Sequence, residues 1–173
     1  ITGYMFITDP GIQHTVPLYR VYFPDTGGNF YTIALNGING LEQAIEKGGI
    51  YKGITGYVYD TGTWTSKSVA LFRLYNGKTG SYFYIAGSTN RDDFLAKNTD
   101  YIANDTVGRI YDDPSKAQTD GASPLYRYYN PSTGDHSYTM TQEIVKTVDF
   151  SGIDADIVDI LGQAAATEGA TMR

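Results

Sequence analysis

Apolar and polar positions alternate along three stretches of the chain: PLYRVYFPDTGGNFYT (17–32), ALFRLYNGKTGSYFYI (70–85) and PLYRYYNPSTGDHSYT (124–139). Each has a Leu-aromatic-Arg-x-Tyr run, a turn ending in Thr-Gly, two variable residues and a second aromatic run. Each therefore predicts a β-hairpin. The turn chemistry agrees: in Asn130-Pro131-Ser132-Thr133-Gly134, Pro presets φ and Gly accepts positive φ. The offsets, 53 and then 54 residues, mark an internal repeat.

The units continue in parallel. NGLEQAIEKGG (39–49) predicts two helical turns, with Asn39 and Glu42 at capping-box spacing and Gly48 as the stop. TNRDDFLAKNT (89–99) and TQEIVKTVDFSG (141–152) predict the same in the other units. Further strands are expected at IYKGITGYVYD (50–60) and YIANDTVGRIYD (101–112). The third unit should supply an equivalent near Gly162, but DADIVDILGQAAATEG lacks the tyrosines. ITGYMF at the amino terminus matches ITGYVY at 54–59 with an offset of 53, the repeat length. The first strand is thus expected to complete the third unit, which protects a terminus and a sheet edge. The predicted fold is all-β: a single β-trefoil domain over 1–173 with pseudo-threefold symmetry and short helical turns in its lobes. Its repeats run 17–69, 70–123, and 124–173 plus 1–16. A three-bladed propeller competes, but propellers typically need more blades to close.

Composition supports many short strands: the 173 residues include 16 Tyr and 20 Gly. A net charge of −6 offers no footprint for nucleic acid and disfavours anionic membrane. No apolar run approaches the roughly 18 residues of a membrane span, so the chain reads as soluble. Cys is absent, which removes thiol chemistry and leaves the compartment open. The start at Ile1 suggests a processed form. Asn104-Asp105-Thr106 is a formal glycosylation sequon of little weight.

The run PLYRxYNPxTGDHxYT followed by GITGYVYD resembles the repeat of the DUF5648 family, found in secreted and surface proteins of bacteria and fungi, often beside hydrolase or adhesion modules. The resemblance covers nearly the whole chain and implies secretion or surface display. The family has no established general activity. The resemblance implies a trefoil architecture, similar to that of many lectins, and with it glycan binding by analogy. Asp135-His136 is replaced by Gly28-Asn29 in the first unit and Ser81-Tyr82 in the second, so a site using His136 would exist once.

Among chemically active side chains, His136 beside Asp135 suggests acid–base work. No nucleophile or second carboxylate recurs with it, and the threefold scaffold around it argues for structure or recognition instead. Arg20, Arg73 and Arg127 should share a strand face with Leu18 and Tyr22, Leu71 and Tyr75, and Leu125 and Tyr129. Structural pairing with carboxylates such as Asp60 and Asp112 is weighed against ligand contact. The residues after each Thr-Gly, namely Asn29 with Phe30, Tyr82 with Phe83 and Asp135 with His136, mix aromatic faces with polar groups as sugar sites do. Trp64, the one tryptophan, is either a plug over the barrel end or, if exposed, a stacking platform. Asp92-Asp93 and Asp112-Asp113 lack EF-hand spacing, and no metal or cofactor is expected. The favoured reading is a lectin-like, non-catalytic glycan binder using lobe-tip loops. The alternative is a trefoil-type protease inhibitor, and an enzyme is least supported.

Overall fold

A computed structural model of the protein describes residues 1–140. Its elements, in order, are β1 (Gly3–Met5), β2 (Thr15–Phe23), β3 (Gly28–Thr32), α1 (Leu41–Glu46), β4 (Ile50–Tyr59), β5 (Ser68–Asn76), β6 (Tyr82–Ala86), α2 (Ser88–Lys97), β7 (Tyr101–Tyr111), α3 (Pro114–Thr119), β8 (Ser123–Asn130) and β9 (Asp135–Thr139). Strands dominate, as the aromatic alternation predicts. The helical segment expected at 141–152 and the strand expected near Gly162 lie outside the described residues.

The three hairpins form as expected, and their turns close identically. Gly27, Gly80 and Gly134 have φ near +70° (71, 73 and 71°). Their N–H groups donate to the carbonyls of Phe23, Asn76 and Asn130 at 2.9, 2.9 and 2.8 Å. Glycine is required here because a side chain at this φ is strained.

Each hairpin also pairs with a longer strand in a shared register. Gly56 of β4 lies opposite Leu18 of β2, and Gly108 of β7 lies opposite Leu71 of β5. Gly3 of β1 lies opposite Leu125 of β8, so the first strand supplies the third hairpin's partner from the other end of the chain. The strand path runs β3-β2-β4-β7-β1-β8-β9, with β5 and β6 branching from β7. It is an open sheet rather than a closed barrel. An isolated bridge, Phe6 to Tyr57, adds a link between the end of β1 and β4.

Two interior clusters draw on residues at matching positions of the sequence repeats. The main core holds Leu18, Leu71 and Leu125, together with Met5, Val58 and Ile110, around Tyr31, Tyr84 and Tyr138. Burying each aliphatic side chain contributes roughly 1.5–3 kcal/mol. The tyrosine rings meet edge to face, with centroids 5.3, 5.2 and 5.4 Å apart. A second cluster joins Phe6, Tyr59 and Tyr111, again edge to face at 6.0–6.1 Å.

The tyrosine hydroxyls explain how β3, β6 and β9 tolerate being sheet edges, where backbone groups would otherwise lack partners. Tyr84 Oη accepts the Tyr31 N–H at 2.7 Å and donates to the Tyr31 carbonyl at 3.0 Å. Tyr138 Oη does the same for Tyr84 at 2.7 and 3.3 Å, and Tyr31 Oη for Tyr138 at 2.8 and 3.1 Å. The cycle welds the three units at their centre.

One local expectation is corrected. The capping box at Asn39 and Glu42 does not form: Gly40 is the N-cap of α1, and the Asn39 N–H is satisfied instead by Gln43 Oε1 at 3.0 Å. Register shifts flank Tyr19-Arg20 and Phe72-Arg73, and the extra residues lie on the long strands, Thr55 and Lys52 of β4 and Val107 and Asn104 of β7, so β2 and β5 keep their own alternation. Val21 and Leu74, next to the arginines in sequence, are fully buried. A short helix, α3, follows β7: Asp113 caps it by accepting from Ser115 N at 2.8 Å and Pro114 starts it.

Candidate functional site

The residues expected at the hairpin tips converge, but on one another. Phe30, Phe83, Asn29, Asp135, His136 and Arg73 are all buried, while Arg20, Tyr82 and Arg127 are half-buried. Arg73 lies over the Phe30 ring of the preceding unit, 4.5 Å from its centroid, and Arg127 lies over Phe83 at 4.6 Å. The third such place offers Ser137 instead of a ring, and Arg20 there donates from Nε to Asn29 Oδ1 at 2.8 Å. His136 packs between Phe83 and Tyr129, each with centroids 4.9 Å away. Tyr82 meets Phe30 at 5.3 Å and Tyr75 at 5.2 Å.

The charge partners also differ from expectation. Arg73, only 1% exposed, donates to Asn104 Oδ1 and to the Tyr31 carbonyl at 3.0 Å each, and pairs through Nη2 with Asp105. Asp60, a proposed arginine partner, instead ties its own loop. It accepts from Thr63 Oγ1 at 2.7 Å and Gly62 N at 3.0 Å, and meets His14 Nδ1 at 3.3 Å. The Thr63 hydrogen bond, with help from His14, holds the Asp60 carboxyl below its ordinary range.

Asp135 joins the third unit to the first. Its Oδ2 accepts from Asn29 N at 3.1 Å and Asn29 Nδ2 at 2.8 Å. Burial pushes its carboxyl up, opposed by the Asn29 hydrogen bonds, the His136 backbone N–H and the charge of Arg20. The Asp-His pair is thus a packing joint between units, with His136 wedged among rings.

What faces solvent is different. Trp64 is 82% exposed, and one face of its indole lies on Arg109, whose guanidinium carbon is 4.3 Å from the ring. Arg109 is itself buried and fixed: Nη2 donates to the Ser68 carbonyl at 2.7 Å and Nε to Ser68 Oγ at 3.3 Å. The Ser68 hydroxyl in turn accepts from Thr65 Oγ1 at 2.8 Å. The indole thus rests on a buried, hydrogen-bonded arginine of β7 and is otherwise open to water. Trp64 is therefore exposed and does not plug the end of a barrel. Arg109 was missed, although a signal was there: it stands where the matching strands carry Tyr4 and Tyr57.

A cleft of about 260 Å³ between the second and third units is lined by Thr2, Ile85, Ala86, Asn90, Asp93 and Arg127, among others. Among the described residues no group of three or more His, Asp or Glu side chains could hold a metal, and no helix is long and apolar enough to cross a membrane.

No curated protein and no solved structure matches this chain. A family model does, over residues 2–110, under the description "domain of unknown function (DUF5648)". That span includes the first two hairpins, both long strands and the amino-terminal strand, and on it the chain belongs to the DUF5648 family.

Proposed function

We propose that this DUF5648 protein is a non-catalytic, lectin-like carbohydrate binder, built from three units about a pseudo-threefold axis in a trefoil-like arrangement and secreted or held at a cell surface. The cyclic tyrosine bonds and the shared Gly-to-Leu registers support the symmetry. The observation that carries the function is Trp64. A large indole 82% exposed gains nothing for folding at its outer face, and its contact with Arg109 lowers the entropy cost of ordering it on binding. A rigid aromatic face in water suits the CH surface of a pyranose ring, with hydroxyls met by polar groups and water at the rim. Asp60, Thr61, Thr63 and Lys67 flank it in sequence on the same connection. Arg20, Tyr82 and Arg127 are the tip residues still open enough to add contacts.

The test is a glycan array probed with the wild-type protein and with Trp64→Ala. The wild type is expected to bind a defined subset of glycans. The variant should lose about tenfold in affinity, as expected for one stacking contact of roughly 1.4 kcal/mol, with its melting temperature little changed. Absence of wild-type signal above background overturns the reading.

A further inference from the structure

The three Thr-Gly turns meet tip to tip. A Cβ added to Gly80 would lie 3.7 Å from the Thr26 methyl, one on Gly134 3.4 Å from the Thr79 methyl, and one on Gly27 2.8 Å from the Thr133 methyl. Each threonine thus roofs a glycine of another unit. Beneath this collar sit the equivalent positions Gly28, Ser81 and Asp135, all buried.

Gly28 leaves a cradle there. Beyond Gly28 and its two chain neighbours, the three atoms nearest the point its Cβ would occupy are all oxygens, one from each unit: Thr26 Oγ1 at 3.1 Å, Asp135 Oδ1 at 3.6 Å and the Gly80 carbonyl at 4.0 Å. Asp135 is 3% exposed and its Oδ2 is held by Asn29; the His136 backbone N–H lies beside the carboxyl, but Oδ1 makes no hydrogen bond of ordinary geometry. A buried carboxylate oxygen in that position is costly unless something binds it. An all-oxygen donor set with one carboxylate selects hard cations over nitrogen- or sulfur-seeking metals.

We propose that this cradle at the meeting point of the three turns is a hard-cation site of the calcium class, with Asp135 Oδ1, Thr26 Oγ1 and the Gly80 carbonyl as protein ligands. The site would bridge all three units, so the ion locks the turns together. A single carboxylate, with the Arg20 guanidinium one Asn29 amide away, places it at the weak end of calcium sites, with Kd of about 10⁻⁴–10⁻³ M.

The experiment is thermal unfolding of chelator-treated protein with calcium chloride, magnesium chloride or sodium chloride at matched ionic strength, alongside calorimetric titration with calcium chloride. Calcium at about ten times Kd should raise the melting temperature by about 4 °C, magnesium by less and sodium not at all. Gly28→Ala fills the cradle with a methyl group at ordinary backbone φ and should abolish both the shift and the calorimetric heat. Asp135→Asn should do the same by removing the charge, and serves if the alanine variant folds poorly. No calcium shift in the wild type, as expected if a water molecule alone occupies the cradle, overturns the proposal. So does an equal shift in sodium, or a calcium shift retained by Gly28→Ala.

Discussion

The hydroxyl of Tyr84 holds both backbone polar groups of Tyr31, a residue 53 positions away in another unit. Removing it strands a buried N–H, which costs more than the net value of the hydrogen bond. Tyr84→Phe is therefore expected to lose about 2–3 kcal/mol in urea unfolding, far more than a change of one oxygen on a free surface. The same three tyrosines set an alkaline limit. Burial pushes Tyr31 up to about 12 and Tyr138 well above its ordinary 10.0. The folded state then keeps protons that the unfolded chain releases, so stability is intact below pH 10 and falls as pH rises from 10 through about 12. Urea midpoints measured across pH 8 to about 12 should be flat at first and then drop; a midpoint unchanged beyond pH 11 would contradict the buried cycle. The recurrence of Tyr31, Tyr84 and Tyr138 was readable as a repeat. Their hydroxyl cycle was not, because it needs the distance between units that no local pattern encodes.

At the scale of elements, the approach of the long strands is set by glycine. A Cβ on Gly56 would lie 2.6 Å from both the Phe6 carbonyl and Met5 Cε, one on Gly3 2.8 Å from the Tyr111 carbonyl, and one on Gly108 2.9 Å from the Tyr59 carbonyl. Each strand thus presses on the next in cyclic order. Gly56→Ala should push β1 off β4 and destabilise the protein by about 3 kcal/mol, with amide exchange rising at Phe6 and Tyr57 before the rest of β4. Protection at those two amides equal to wild type would refute the close approach. The placement of β1 beside β8 followed from one offset, ITGYMF against ITGYVY, because the register is periodic. Bulges and caps did not follow. Asn39 matched the capping pattern yet sits at φ 61°, where it reaches toward Asp105 rather than starting the helix.

For the molecule as a whole, the variable hairpin tips were expected to face ligand because they differ while the scaffold repeats. They differ instead because units that pack in a cycle still meet as unlike pairs: Arg73 finds Phe30, Arg127 finds Phe83, and Arg20 finds Asn29 and, through it, Asp135. Sequence variation marked interfaces here, and only burial distinguishes an interface from a binding tip. The exposed chemistry lies on the connection between the first two units, at Trp64. Since Trp64 is the sole tryptophan, its emission reports that site alone. The most direct measurement is a fluorescence titration of the native protein with an oligosaccharide selected on the array. The account predicts a saturable blue shift, with protection of the indole from a soluble quencher, as a sugar ring covers its outer face. Saturable binding by calorimetry that leaves Trp64 emission and quenching unchanged would contradict it.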